Sequence, residues 1–377
     1  MHGSQTIGII GGGQLGRMLT LAALPLGFKV IVVDPGEDSP AAQVGAKQIV
    51  ADLYDRTALK QLAEKSDWLT IEIEHLDADI LDELVALGKP VNPAPSTIRL
   101  IQDKYLQKKF FEEAGIPVAP FVEIPDERAA NDALKAFEGK MLIKTRHGAY
   151  DGRGNMVVED AAQIKKAFKL FAGKQLYAEK LIPFSKELAV MVARTVDGDV
   201  AAYPVVETIH ERNICVEVLA PAPISKTQTT EATNVALQAV SMLHGAGMFG
   251  VELFLTKEGD ILINEIAPRV HNSGHHTIEA NHTSQFEQHV RAITGLPLGD
   301  TTLSVPAAVM INILGERNDM TKIKGLDKAL ANPRTSVHLY GKSPTKVDRK
   351  MGHITATGKT VKEARARARK ARKQLSI

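Results

Sequence analysis

A chain of 377 residues is longer than a single hydrophobic core usually serves, so two or three domains are expected. With 44% hydrophobic and 24% charged residues, it has the composition of a folded globular protein rather than a disordered one. The 46 basic and 44 acidic residues leave a formal charge of +2, which excludes a whole-chain affinity for nucleic acid or an anionic membrane; an anion site must be local.

One cysteine, Cys215, excludes an internal disulfide. No apolar run reaches the ~18 residues of a membrane span, and no signal-peptide pattern opens the chain, so a cytosolic protein is expected.

The first motif is "IGIIGGGQLG", where Gly11, Gly13 and Gly16 follow an apolar run in the spacing G-x-G-x-x-G. Asp34 closes the next apolar run, "KVIVVD", where a dinucleotide fold places its ribose-binding acid. Alone, these residues predict a nicotinamide enzyme. Up to about Pro95, short strands alternate with helical patterns, including a helix over 14–24, and this implies a parallel sheet with crossover helices. Its ligand edge, at the carboxyl ends of the strands, carries the glycine loop, Asp34 and Glu74.

One helix is expected across "PAPSTIRLIQDKYLQKKFFEEAGIPV", with Ser96 as N-cap and Gly115 and Pro117 ending it, so a domain boundary falls near residue 100. Strand-rich stretches follow: "KMLIKT", "LYAEKLI", "ELAVMVART" and "AAYPVVETIHERNICVEVLA". A helix over about 230–244 separates them from the hairpin "GVELFLTKEGDILINEIAP". From about Leu303 come short strands and one basic terminal helix.

In the hairpin, a two-residue loop at Glu258 and Gly259 puts Glu252 opposite Glu265. Facing like charges are destabilising unless something bridges them, and a divalent metal would, with Asn264 as a further oxygen donor. The alternative is two exposed acids on a wet face. "APRVHNSGH" places Arg269 and His271 directly after the carboxylates, where a guanidinium suits a bidentate anion contact. A zinc cluster of His271, His275 and His276 is a rival, weakened by the lack of a nearby cysteine or a helical H-E-x-x-H. His282 and His289 are read as structural. Upstream, Lys144 ends an apolar strand before a loop with Gly148, Gly152 and Gly154, punctuated by Tyr150, Asp151 and Arg153. Such a loop can close amides around a phosphate, although it is not a Walker A sequence.

Lys144, "YDGRG", "YAEKLI" with Glu187 beyond it, and Glu252, Asn264 and Glu265 together resemble the nucleotide site of ATP-grasp ligases. "GGGQLG", "APRVHNSGHHT", "TSQFEQH" and "RKMGHIT" add a narrower resemblance to the 5-(carboxyamino)imidazole ribonucleotide synthase family, over nearly the whole chain. The resemblance implies an α/β and α+β multidomain architecture: a Rossmann-like pre-ATP-grasp domain (1–100), an ATP-grasp domain (101–300) and a small β-rich C-terminal domain (301–377). It implies a C–N ligase that carboxylates aminoimidazole ribonucleotide with bicarbonate, converting ATP to ADP and phosphate through carboxyphosphate, in purine biosynthesis.

On this resemblance ATP meets Arg99, Lys144, Ala149, Gly152, Gly154, Asn155, His210, Asn264 and Glu265, with Glu179, Lys180, Leu181 and Ile182 at the adenine and Glu187 at the ribose. Glu252 and Glu265 carry Mg²⁺, for which Mn²⁺ could substitute. Tyr150, Asp151 and Arg153 cover bicarbonate, while Arg269 and His271 bind and polarise it. The ribonucleotide lies among Gln14, Leu15, Glu74, Asn272, Ser273, Lys342, Arg349 and Lys350. The glycine loop is thereby reassigned from a dinucleotide to a phosphate monoester, since helix-start amides bind either. No tight NAD site is then expected. A homodimer and hand-over to the next-step mutase are also implied.

Two positions depart from the family pattern. Ala149 stands where a second glycine is usual, and His276 where an aromatic residue is common; altered loop mobility is expected rather than lost chemistry. The nearest rival is a sibling ATP-grasp enzyme, the formate-dependent glycinamide ribonucleotide transformylase. A nucleic-acid-binding module is the rival prompted by "KEARARARKARK", against a solvated helix ending in positive charge.

Overall fold

The computed structural model describes residues 5–148 and 154–377. Strands β1 (Thr6–Ile10), β2 (Lys29–Asp34), β3 (Lys47–Val50), β4 (Trp68–Ile71) and β5 (Val91–Asn92) form a parallel sheet in the order β3-β2-β1-β4-β5. Helices α1 (Gln14–Ala23), α2 (Arg56–Glu64) and α3 (Ala78–Ala86) make the crossovers. This is the alternation read from the sequence. The central strands are apolar along their length because helices or other chain segments cover both faces of the sheet.

The single helix expected after Pro95 is two helices, α4 (Pro95–Gln102) and α5 (Lys104–Glu113). Ser96 is not the cap: α4 begins at Pro95, whose missing N–H suits a first turn. Asp103, at φ −100° and ψ 100°, breaks the run and caps α5, its carboxylate accepting from the amides of Tyr105 and Leu106. The break aims Lys104 away from the axis of α4 and into the molecule.

A four-stranded sheet follows, ordered β6-β9-β7-β8, from β6 (Phe121–Glu123), β7 (Met141–Thr145), β8 (Asn155–Val158) and β9 (Leu176–Lys180). It is backed by α6 (Glu127–Ala136) and α7 (Ala161–Leu170). The third sheet contains β10 (Phe184–Arg194), β11 (Val200–Ala202), β12 (Val206–Glu211), β13 (Ile214–Ala220), β14 (Gly247–Thr256), β15 (Ile261–Ala267), β16 (Ala307–Leu314), β17 (Thr335–Leu339) and β18 (Lys350–Gly358). Its order is β15-β14-β10-β12-β13-β16-β18-β17, with β11 beside β10. Because β13 pairs with β16, the strands beyond residue 301 extend the central sheet rather than forming their own.

Five helices complete the chain: α8 (Lys226–Ser241), α9 (Thr277–Ala280), α10 (Gln285–Thr294), α11 (Leu326–Leu330) and α12 (Val361–Gln374). Ser225 and Gln228 close a capping box, so α8 starts four residues before the expected 230. Leu15, Met18 and Leu19 of α1 share a core with Phe286, Val290 and Ile293 of α10, which fixes the first sheet against the third. His289 reinforces this joint from a fully buried position, its Nε2 2.8 Å from Thr70 Oγ1 and its Nδ1 accepting from the Met248 amide at 3.0 Å. No described helix is long and apolar enough to cross a membrane. In α12, Arg365 and Arg369 both bind Glu217, Arg367 binds Glu363 and Arg372 binds Glu316, so much of the basic run is spent on intramolecular pairs.

Candidate active site

The parallel sheet and the nine-stranded sheet meet around a cleft of about 600 Å³, to which the four-stranded sheet adds Gly148 from the loop after β7. Its walls include Gln14 and Leu15 from the glycine loop, Glu74 after β4, Lys104, His210 of β12, Glu252 and Glu265 of the hairpin, Arg269, His271 and Asn272 beyond it, and Lys342, Arg349 and Lys350 near β18. The fold thus gathers twelve sequence-predicted residues, spread over more than 300 positions, along with Lys104, which was not predicted.

The hairpin carries Glu252 opposite Glu265, but by a different route from the one expected. Thr256 bonds Gly259 and Asp260, and Leu255 pairs with Ile261, a register in which Glu252 would face Asn264. A bulge between Glu252 and Leu253 in the pairing absorbs Asn264 and restores Glu265 to that place. Burial and the facing Glu265 push Glu252 up to about 7, with Glu187 adding repulsion. Burial also opposes ionisation of Glu265, yet Lys104 Nζ, 2.7 Å from its Oε2, holds it down at about 2. Two facing carboxylates are oxygen donors of the kind a divalent cation takes, and a cation would relieve the repulsion recorded in Glu252. The pair is thus partly buried, Glu252 at 24% and Glu265 at 39% side-chain exposure, and not on a fully wet face.

Beside the four-stranded sheet, Glu179 is buried between two lysines, 3.2 Å from Lys108 Nζ and 3.3 Å from Lys144 Nζ. Although burial works the other way, the two ammonium groups keep Glu179 below the usual carboxylate range. Its side chain is directed at these lysines rather than outward to a base. Lys180 binds Glu138 at 2.8 Å, and half-buried Leu181 and Ile182 bridge β9 to β10. Asn155 lies opposite Lys144 on β8, and the Gly154 carbonyl accepts from Thr145. Glu187 Oε2 is 3.1 Å from His210 Nδ1; this contact outweighs burial and lifts the imidazole above its ordinary range. Ala149, Tyr150, Asp151, Gly152 and Arg153 lie outside the described residues.

Arg99 is not brought to the cleft. It lies in the last turn of α4 on the outer face, 44% exposed, paired with Asp79 at 2.6 Å and with Asp82. Helix α4 turns that position toward α3, whereas the break at Asp103 delivers Lys104, five residues later, to Glu265. A helix reading that ran unbroken through Asp103 could not see this.

At the centre, Arg269 forms a two-point contact with Glu74, Nε to Oε2 at 2.5 Å and Nη2 to Oε1 at 2.9 Å. The fork assigned to bicarbonate is thus engaged by a carboxylate assigned to the ribonucleotide. Against the effect of burial, Arg269 holds Glu74 at about 2. Nη1 also reaches the Val270 carbonyl. His271 sits over β14, where Gly250 makes room: a Cβ there would lie 2.5 Å from His271 Cβ. Its Nδ1 accepts from the Ser273 amide at 3.4 Å and lies 2.6 Å from Ser273 Oγ, leaving Nε2 as the protonated nitrogen, 3.5 Å from Glu252. Burial, with Arg269 and Lys350 nearby, pushes His271 down to about 3, so it is neutral. Positive charge at this point comes from Arg269 and Lys350 rather than from the imidazole. Asn272 exchanges two hydrogen bonds with Asn312. The three-histidine zinc cluster does not form: His275 turns to Gln285, and His276 to the Ser273 carbonyl.

The glycine loop holds the largest surprise. Asp34 accepts from the Gly12 amide at 2.9 Å, and Glu72, in "EIE", accepts from the amides of Gly13 and Leu15. A Cβ on Gly13 would lie 2.4 Å from Glu72 Oε1, so glycine is required for this approach. Two of the amides expected to bind a phosphate are therefore taken by the protein's own acid. Lys342, Arg349 and Lys350 face this loop across the cleft. Burial first, then Arg349 and Lys350, pulls Lys342 down to about 8, with Glu72 partly opposing the shift.

Family models match along the chain in order: a ribonucleotide synthetase preATP-grasp domain at 4–102, an ATP-grasp domain at 109–286, and a phosphoribosylaminoimidazole carboxylase C-terminal domain at 308–367. Fold and cleft are thus those of an ATP-grasp ligase, an enzyme class that forms C–N bonds. A phosphoribosylaminoimidazole carboxylase of Ogataea methanolica is 48% identical over 97% of this chain, which spans 68% of that relative's length. The N5-carboxyaminoimidazole ribonucleotide synthetase of Thermotoga maritima matches at 43% identity, 99% coverage of both chains and a TM-score of 0.88. A synthase from Aspergillus clavatus, in complex with ADP and 5-aminoimidazole ribonucleotide, matches at 37% identity, 98% coverage of both chains and a TM-score of 0.90. The chain belongs to the N5-carboxyaminoimidazole ribonucleotide synthase family.

Proposed function

We propose that the protein carboxylates 5-aminoimidazole ribonucleotide with bicarbonate, using ATP, to give the N5-carboxyamino product, ADP and phosphate in purine biosynthesis. The observation that carries this reading is the continuity of one cleft. The Glu252–Glu265 pair, the Arg269–His271 centre and the cations Lys342, Arg349 and Lys350 all open into it, as a reaction that joins ATP to a phosphorylated substrate needs.

ATP lies between the four-stranded and nine-stranded sheets, with Lys104 and Lys144 at its phosphates and Glu187 at the ribose. Glu252 and Glu265 would hold Mg²⁺, which when bound neutralises phosphate charge. A bicarbonate oxygen attacks the γ-phosphorus and ADP leaves, a step that rests on positioning and charge neutralisation. Arg269 faces the carboxyphosphate so formed, with Glu74 fixing the guanidinium plane and neutral His271 donating through Nε2–H. The exocyclic amine then attacks the carboxyl carbon, phosphate departs with its bridging oxygen, and the amine gives up a proton. Lys342, Arg349 and Lys350 receive the substrate's 5′-phosphate. A homodimer, a cytosolic location and hand-over of the product to the next-step mutase belong to the same proposal and rest on the family resemblance.

The test is phosphate release from Mg·ATP with ribonucleotide and bicarbonate each omitted in turn. Release that needs the ribonucleotide and rises with bicarbonate supports the reading. Release with formate and glycinamide ribonucleotide instead would move the protein to the sibling transformylase.

A further inference from the structure

Beside the substrate end of the cleft lies a second group of imidazoles that the reaction does not use. His338 of β17 and His353 of β18 are direct cross-strand partners, their rings stacked with centroids 4.5 Å apart and planes 16° apart. Glu279 of α9 brings Oε1 to 2.5 Å from His338 Nε2. One ligand atom from each of the three residues lies within 4.8 Å of the other two, the one such grouping among the described residues.

The unmatched atoms here are telling. His353 is fully buried, and its Nε2 has no hydrogen-bond partner; Glu279 Oε2 is likewise unpartnered. A buried polar atom left unpaired costs about 1–3 kcal/mol, and two such atoms in one small cluster leave lone pairs open to a ligand. His353 Nδ1 is 2.9 Å from the Tyr340 hydroxyl. With that hydroxyl oxygen accepting from Nδ1–H, the Nε2 lone pair is left toward the cluster, and a metal-bound imidazole is normally oriented by such a partner on its other nitrogen. Burial keeps His353 far below its ordinary pKa and hence neutral, as a ligand must be.

We propose that Glu279, His338 and His353 form a transition-metal site, accepting Zn²⁺ or a similar borderline ion through two imidazole nitrogens and one carboxylate oxygen. Nitrogen donors disfavour Mg²⁺ and Ca²⁺, which take oxygen ligands, so this site is chemically distinct from the Glu252–Glu265 pair. The ion would displace the His338–Glu279 hydrogen bond, with the partly exposed His338 ring turning out of its stack so that both imidazole lone pairs converge on the metal. It would tie β17 and β18 to α9, the segment that follows the loop bearing Arg269 and His271. Tyr340, which orients His353, itself lines the cleft. The metal is thus structural, bracing the substrate end of the cleft.

The experiment is a CoCl₂ titration of the full chain, stripped with chelator and kept in excess Mg²⁺ and ADP to fill the nucleotide site. One equivalent should bind with the visible bands of four-coordinate cobalt, and the thermal midpoint should rise with metal concentration by mass action. His338→Ala and Glu279→Gln should each abolish the bands and weaken binding by more than the ~10–100-fold that loss of a ligand's supporting partner costs. Both positions are partly exposed, so these variants are expected to keep the wild-type circular dichroism, whereas truncating fully buried His353 would open a cavity. Glu252→Gln should keep the bands. Absence of cobalt binding at micromolar concentration, bands that survive His338→Ala, or bands lost only in Glu252→Gln would overturn the proposal, and none of these outcomes bears on the ligase reading.

Discussion

Replacing Glu74 by glutamine isolates the contact that joins the first sheet to the loop bearing Arg269. Glu74 and Arg269 are 18% and 19% exposed, so solvent screens the pair little. The carboxyl is held at about 2 against an ordinary 4.5, a difference that corresponds to about 3 kcal/mol of stability at neutral pH. Because the folded-state value is the depressed one, this contribution is fully present above pH 4.5. It is lost as pH falls toward 2, with about half remaining at pH 3. Urea midpoints measured from pH 7 to pH 3 should therefore converge: Glu74→Gln should lie about 3 kcal/mol below the parent at pH 7 and roughly half that at pH 3. Other acids titrate in both proteins, so the difference between them reports on Glu74. A gap that stays constant with pH, or one below about 0.5 kcal/mol at pH 7, would refute the claim that this ion pair is a principal joint.

Three further outcomes are expected. Lys104→Met should raise the KM for ATP and cut kcat/KM by roughly 10²-fold or more, since Glu265 loses its cation and the phosphates lose theirs; Arg99→Ala should change both by less than about twofold, as an exposed pair contributes little. Steady-state ATP kinetics on the two variants check this. Glu252→Gln should abolish phosphate release yet stabilise the metal-free protein at pH 8 by roughly 1–3 kcal/mol. Its folded-state value, raised to about 7, means that the carboxylate costs stability as pH rises through that point. Thermal melts at pH 6 and pH 8 with and without Mg²⁺ should show the advantage growing with pH and shrinking with the ion.

What the sequence discloses about this molecule follows the range of its signals. The parallel sheet was legible because each β–α step is local: "KVIVVD" is apolar throughout, as a strand covered on both faces must be. The positions of Lys342, Arg349 and Lys350 at the cleft came from family resemblance, since nothing near residue 345 says that β18 joins a sheet begun at Phe184. Long-range pairing has no local signature. The expected Glu252–Glu265 pairing occurs although the two-residue loop does not, because a three-residue turn shifts the register by one and the bulge at Asn264 shifts it back.

Glu72 marks the limit more sharply. Its neighbour Glu74 was chosen for the substrate, and the two side chains leave the same strand end with the same charge. Glu74 meets a guanidinium and is held ionised at about 2, whereas Glu72 meets helix-start amides in a site where burial pushes its carboxyl up. The difference lies in what each carboxylate faces across the cleft, and that is set by α1 and by a loop about 200 residues away. A glycine fingerprint therefore reports amides able to bind an anion, and leaves open whether the anion is a substrate or, as at Gly13, a carboxylate of the same chain.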